Sequence, residues 1–297
     1  GRLRPRRLRL KRAQAEGPTA LRRRLDAELV RRGLTASRER AREAVARGDV
    51  VVSGAPATKP ARLVAPDEPI VVTGPAPRFV GRGGEKLAGA LDRFAVDLLG
   101  ARVLDAGAST GGFTDCALQA GAATVVAVDV GRGQLHQRLR TDHRVEVHER
   151  TNVRHLQPGD VGGPVDAVVA DLSFISLGTV ARALVGLARP GADLVWLVKP
   201  QFEAGRFEAS RHRGVIVEPD IWRRVLTDVL VATEDLAAAN MDLMTSPLRG
   251  ADGNVEFFLH ARTCDGRRAG PPLVSTASLV DAAVSQAAAS ADAERTP

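Results

Sequence analysis

Between residues 103 and 233, short apolar runs alternate with segments of helical period, and this alternation restricts the fold more tightly than any other feature of the chain. The runs are Val103-Leu104, Thr124 to Val128, Val165 to Ala170 and Asp193 to Val198; the helical segments include Phe113 to Ala120, Thr179 to Leu187 and Ile221 to Thr233. Strands separated by helices predict parallel pairing, because each crossover returns the chain to the same edge of the sheet. The expected architecture is a doubly wound α/β sheet, whose ligands bind beyond the carboxyl ends of its strands. A hydrophobic fraction of 44% in 297 residues is enough to fill such a core.

No segment approaches the roughly 18 to 20 consecutive apolar residues of a membrane span, and the Arg-rich start lacks the apolar centre of a secretory signal. The expectation is a cytoplasmic protein without stable membrane insertion. The two cysteines, Cys116 and Cys264, lie far apart and without paired Cys or His spacing, so no metal is expected. No feature assigns an oligomeric state.

Charge divides the chain. Residues 1–49 hold 16 Lys and Arg against 6 Asp and Glu, a net of +10 within a total of +7, which leaves −3 for the remainder. A basic end on a mildly acidic body predicts that the N-terminus binds a polyanion by neutralising phosphates. Residues 1–20 have no hydrophobic period and read as a flexible arm. From Arg22 to Arg32, Leu25, Leu29 and Val30 share one helical face, and Gly33 can end that helix. Ser37 can cap a second helix buried through Ala41, Ala44 and Val45. Gly48 ends it, before a strand at Val50 to Val52, a Ser53-Gly54 turn and a second strand at Ile70 to Val72.

The ordered pattern Arg24-Leu25-Asp26, Leu29, Gly33, Ser37-Arg38, Ala41, Gly48, Val50, Val52, Gly54 and Lys59-Pro60 resembles the S4 RNA-binding domain. The resemblance implies a small N-terminal α+β domain, over residues 21–73, that binds structured RNA. Arg22, Arg23, Arg38, Arg40, Arg42 and Lys59 are its candidate contacts, with at least half of these arginines expected to be solvated helix face only. Residues 74–80, containing Gly74-Pro75-Ala76-Pro77, read as a semi-rigid linker. The α/β domain is then expected over 81–268. Residues 269–297, rich in Ala, Ser and Asp, offer little to bury and are expected as a frayed or disordered tail.

The first α/β strand runs into Asp105-Ala106-Gly107-Ala108-Ser109-Thr110-Gly111-Gly112-Phe113, a glycine-rich turn that opens a helix in the Rossmann-like manner. A carboxylate at Asp105 would repel a dinucleotide pyrophosphate and would suit the cationic amino group of S-adenosylmethionine. The methyl donor is therefore the expected cofactor, with Asp105, Gly107, Ser109, Thr110, Gly111, Gly112 and Phe113 around it. Asp129, ending the second strand, would accept from ribose hydroxyls, and Asn152 would meet the adenine edge or make a local turn bond.

Only four of the 42 basic residues are lysine: Lys11, Lys59, Lys86 and Lys199. Lysine can give up a proton and arginine cannot, so the lysines outside the arm and the S4 pattern are candidates for chemistry. Lys199 and Asp171 both end apolar strands, where open α/β sheets carry their sites. Together Gly83-Gly84-Glu85-Lys86-Leu87, Asp171, Lys199 and Gly253-Asn254-Val255-Glu256 look like the Lys-Asp-Lys-Glu tetrad of the FtsJ-like 2′-O-methyltransferases, and their order behind an S4 domain resembles the TlyA family. That resemblance implies 2′-O-methylation of cytidine in ribosomal RNA, with the ribosomal RNA or a ribosomal subunit as partner. Lys199 would face the hydroxyl as general base, and Asp171 and Glu256 would hold the two lysines. Phe174 and Phe202 are candidates to stack on an extruded base, with core packing as the ordinary alternative. The segment from Gly205 to Asp220 departs from the family pattern. A binding-only assembly factor, a cytolysin and an NAD-dependent oxidoreductase are the competing classes. The filled tetrad, the absence of spanning segments and Asp105 argue against them in turn.

Overall fold

The protein is described by a computed structural model over residues 22–293 other than 36, 75–76, 251 and 265–273. The arm, the middle two residues of Gly74-Pro75-Ala76-Pro77 and part of the tail therefore lie outside the described residues. Two compact units divide at residues 76 and 77.

In the first unit, β1 (Arg23–Arg24) leads into α1 (Leu25–Arg31) and α2 (Arg38–Ala46), followed by β2 (Val50–Val52), β3 (Ala55–Pro56), β4 (Leu63–Val64) and β5 (Ile70–Val72). Ser37 caps α2 by accepting from the backbone N–H of Arg40 at 3.2 Å. Gly33 and Gly48 take left-handed φ values of 70° and 81° and end the two helices. Strand β2 lies between β3 and β5, both antiparallel to it, and β1 pairs separately with β4. Leu25, Leu29, Ala41, Ala44, Val45, Val50 and Val52 close a small core of their own.

The second unit begins earlier than its sequence suggests. Phe79 is 1% exposed within the core, and the N–H of Val80 donates to Asp115 at 2.8 Å. Residues 79 and 80 therefore belong to the α/β unit and correct the linker expected at 74–80. The elements that follow are α3 (Gly83–Phe94), β6 (Arg102–Ala106), α4 (Gly112–Gln119), β7 (Thr124–Val128), α5 (Gln137–Arg140), β8 (Val145–His148), β9 (Val165–Ala170), α6 (Leu177–Leu187) and β10 (Ala188–Val198). After them come α7 (Pro200–Glu203), α8 (Arg206–Arg211), α9 (Pro219–Glu234), β11 (Ala238–Thr245), β12 (Phe257–Thr263) and α10 (Thr276–Ala293).

The strand order is β11-β12-β10-β9-β6-β7-β8, with β8, β7, β6, β9 and β10 parallel and β12 antiparallel between β10 and β11. Chain direction across the sheet reverses between β6 and β9, which makes their carboxyl ends the switch point where such folds bind ligands. Side chains alternate between two cores. Leu194, Trp196 and Val198 of β10 face α6 and α9, whereas Val195 and Leu197 face the layer containing α3 and α4.

The C-terminal segment contradicts the expected tail over Thr276–Ala293. Leu279, Val280, Ala283, Val284 and Ala287 recur on one helical face and are buried in the core shared with α9. Small residues let α10 approach closely, and alanine favours the helix. Thr276 donates to Glu234 at 2.7 Å, and Arg223 pairs with Asp281 at 3.1 Å.

Candidate active site

A cavity of about 520 Å³ opens at the switch point, lined by Gly107, Ser109, Val128, Asp129, Val130, Gln134, Thr151, Asn152, Val153, Asp171, Leu172, Ser173, Phe174 and Ile175. Its walls are the loops after β6, β7, β8 and β9. Gly107, at φ 88°, packs so closely on the Asp171 loop that a Cβ would stand 2.5 Å from the Asp171 carbonyl oxygen. Asp129 fastens two of these loops by accepting from the N–H of Ser109 at 2.8 Å and of Gly131 at 2.6 Å. Asn152 borders the cavity and its carbonyl accepts from the N–H of Arg154 at 3.0 Å, so the local turn bond is present.

Several expected donor contacts do not line this cavity. The strand alternation turns Asp105 beneath α4, where it is fully buried and accepts from the Thr114 hydroxyl at 2.6 Å. Its Oδ1 is buried without a hydrogen-bond partner, and burial pushes its pKa up to about 7. Asp105 thus stands under the glycine loop and not on the cavity wall. Thr110, Gly111, Gly112 and Phe113 are also off the wall. A Cβ on Gly111 would meet Leu139 at 2.3 Å and one on Gly112 would meet the Gly84 nitrogen at 2.9 Å, so these glycines serve close packing. Phe113 is 3% exposed and stacks on Phe258, with ring centroids 6.1 Å apart.

The four charged residues at the sheet's end form two ion pairs. Lys199 Nζ lies 2.5 Å from Asp171 Oδ1, a charge contact without hydrogen-bond alignment, and donates to Ser173 Oγ at 3.0 Å. Lys86 Nζ lies 2.5 Å from Glu256 Oε2. Both lysines are 8% exposed. Lys199 sits where β10 gives way to α7, with Pro200 in the first helical position fixing the break. A Cβ on Gly83 would fall 3.6 Å from Asp171 Oδ2, and one on Gly250 would fall 2.7 Å from Glu256 Oε1. The chain is therefore in ordinary contact with Asp171 at Gly83 and tightly packed on Glu256 at Gly250.

Phe174 is not a core residue. It is 91% exposed at φ 64°, a left-handed conformation rare for an aromatic residue, and its ring stands 5.2 Å from that of Phe202. Lys199 Nζ lies 5.9 Å from the Phe202 ring centroid. Sequence reasoning also passed over Asn254, 1% exposed, which accepts from the N–H of Ile216 at 2.9 Å and donates to the carbonyl of Gly214 at 2.8 Å. It ties the divergent segment before α9 to the loop that carries Glu256 into β12.

In the first unit, Arg22, Arg23 and Lys59 are exposed. Arg38 and Arg42, 51% and 57% exposed, both reach Asp26. Arg40 is only 17% exposed and pairs with Glu43, which makes it the least accessible of the predicted contacts. Arg24, not among them, is 46% exposed and also pairs with Asp26.

Residues 79–263 match the FtsJ-like methyltransferase family and residues 23–70 match the S4 domain. The 16S/23S rRNA (cytidine-2′-O)-methyltransferase TlyA of Mycobacterium tuberculosis is 52% identical over 245 residues, 82% of this chain and 91% of that protein. Hemolysin A of Brachyspira hyodysenteriae is 36% identical, over 80% of this chain and 98% of its own length. A solved structure described as a hemolysin, from Streptococcus thermophilus, superposes with a TM-score of 0.73 at 36% identity, covering 92% of this chain and 99% of that one. Among the described residues no helix is long and apolar enough to cross a membrane. Matched domains in the same order, and identity sustained across both of them, establish that the chain belongs to the TlyA family of S4-bearing, FtsJ-like methyltransferases.

Proposed function

We propose that this enzyme transfers a methyl group from S-adenosylmethionine to the 2′-hydroxyl of a cytidine in ribosomal RNA. The observation that carries the proposal is the Lys199–Asp171 pair, whose carboxylate lines the switch-point cavity below the exposed ring of Phe174. The activity of the Mycobacterium relative supports the choice of cytidine and of ribosomal RNA.

The donor supplies an electrophilic methyl group on a sulfonium. The cavity suits its nucleoside, since Gly107 and Ser109 bring backbone to the wall, Asp129 offers carboxylate oxygens to ribose hydroxyls, and Asn152 offers an amide to the adenine. Beneath them Asp105 keeps Oδ1 without a hydrogen-bond partner, and a cation bound in the cavity would favour its ionised form. On the substrate side Lys199 orients the ribose hydroxyl and, as the free amine, accepts at Nζ the proton that leaves its oxygen. Asp171 and Ser173 fix where Nζ sits, and the Lys86–Glu256 pair adds a second cation held by its own carboxylate. Phe174 and Phe202 offer aromatic faces to an unstacked base. The S4 unit supplies phosphate contacts through Arg22, Arg23, Arg38, Arg42 and Lys59, and a ribosomal substrate makes the cytoplasm the working compartment.

Mapping ribose methylation across both ribosomal RNAs from cells with and without the gene tests this. One or more cytidines should lose their 2′-O-methyl group when the gene is absent, and identical maps would refute the proposal.

A further inference from the structure

The S4 unit contains two buried carboxylates, each surrounded by arginines, and they differ in what the arginines have left to offer. Glu28, 1% exposed, accepts from Arg31 and Arg32. Arg32 is 20% exposed and spends its other N–H groups on the carbonyls of Ala65, Pro66 and Glu68. That cluster ties α1 to the chain before β5. Asp26, 0% exposed, accepts from Arg24 Nε at 3.1 Å and Nη2 at 3.0 Å, from Arg38 Nη2 at 3.0 Å and from Arg42 Nε at 3.4 Å. Arg38 and Arg42 each engage it through one nitrogen, and all three side chains remain about half exposed, at 46%, 51% and 57%.

Three guanidiniums converging on one carboxylate leave a local charge of +2 with several outward N–H donors. Without the carboxylate they would repel one another and sample many rotamers, which an incoming phosphate would have to order. The pairing does not waste binding charge, because a guanidinium carries five N–H groups in a planar fork and one edge suffices for Asp26. The packing of α1 on α2 already rests on Leu25, Leu29, Ala41, Ala44 and Val45, so the apolar core holds the helices together beside Asp26.

We infer that Asp26 is a positioning residue that holds Arg24, Arg38 and Arg42 as one pre-arranged phosphate-binding cluster for structured RNA. This rests on the reading of the S4 unit as the RNA-binding module. The inference runs against simple charge counting, since a negative residue is assigned to strengthening the binding of a polyanion.

The test is binding of the full chain to transcribed 16S and 23S ribosomal RNA over a range of salt concentrations. Asp26→Asn adds one positive charge to the unit, yet affinity should fall by about tenfold and its logarithmic salt dependence should become shallower. Unchanged or tighter binding by a folded Asp26→Asn protein would overturn the inference. Should that variant lose the S4 fold on thermal unfolding, the triple variant Arg24→Lys, Arg38→Lys, Arg42→Lys decides. It keeps the charge and removes the fork, so it should also bind about tenfold more weakly, and wild-type affinity would overturn the inference. Replacing all three arginines by alanine separates the two levels: undiminished binding there would remove the RNA-binding face itself, whereas loss there with retention in Asp26→Asn would remove only the role of Asp26.

Discussion

In both units of this chain carboxylates hold cations, and the kind of cation differs. Around Asp26 the partners are arginines about half exposed to solvent, whereas Asp171 and Glu256 hold lysines whose side chains are 10% exposed. Only four lysines occur among the 42 basic residues, and two of them are these buried ones. The contrast separates two uses of charge. A fork of permanent positive charge at the surface recognises phosphate, while a compact amine in a tight pocket can hold or release a proton beside one reacting oxygen.

The largest effect is expected from putting an arginine in the lysine's place beside Asp171. Lys199→Arg should keep donor and RNA affinity but lower the single-turnover methylation rate by about two or more orders of magnitude. A near-normal rate would mean that positive charge alone is needed beside Asp171. Removing residues 1–73 probes the other side. Ribosomal RNA affinity should drop by about ten- to a hundredfold with a flatter salt dependence, while calorimetry should find donor affinity unchanged in the remaining unit. An unchanged salt slope would shift the phosphate contacts to the α/β unit.

A fourth carboxylate, Asp105, differs from these in having no cation beside it. Asp105 has its pKa raised from 3.8 to about 7 by burial, so its neutral form is favoured in the folded state. The unfolded chain loses this proton first, so the contribution to stability is fully present below about pH 4 and is lost as pH rises through 7. Asp105→Asn should remove that loss. Between pH 5 and pH 8 the donor-free wild type should lose about 2–3 kcal/mol relative to the variant in chemical unfolding, and parallel pH curves would contradict the assignment. The same variant should bind S-adenosylmethionine more weakly if the negative potential under the loop serves the donor. The smallest effect is expected at Arg40. Arg40→Ala should change RNA affinity by less than about twofold, since that side chain is only 17% exposed beside Glu43. A large loss would redraw the RNA face.

Much of this arrangement is legible in the residues themselves. The β7 and β9 runs end where their apolar character ends, at Val128 and Ala170, and Ser37 caps α2 as its place before Arg38 to Ala46 predicts. Lysine scarcity singles out Lys86 and Lys199, and strand ends single out Lys199 and Asp171, whereas Glu256 is reached only through the family resemblance. Other features depend on tertiary packing that no local pattern carries. Phe113 follows a glycine turn and reads as a ligand contact, yet the first turn of α4 aims it at Phe258. Asp105 belongs to the strand, and strand alternation sends its side chain under α4 rather than to the sheet's end. Helix α10 is hidden by its alanines and serines, which bury little individually and matter by letting the helix lie close to α9. Phe174 gives no sign in sequence of its left-handed backbone or its exposure.

Which atom of the RNA is methylated is answered directly by nucleoside analysis. Transcribed 16S and 23S ribosomal RNA would be incubated with the full chain and isotopically labelled S-adenosylmethionine, digested to nucleosides and separated by mass spectrometry. The label should appear in 2′-O-methylcytidine with the wild-type protein and be lost with Lys199→Arg. Label on a base carbon or nitrogen, or none with the wild type, would contradict the account.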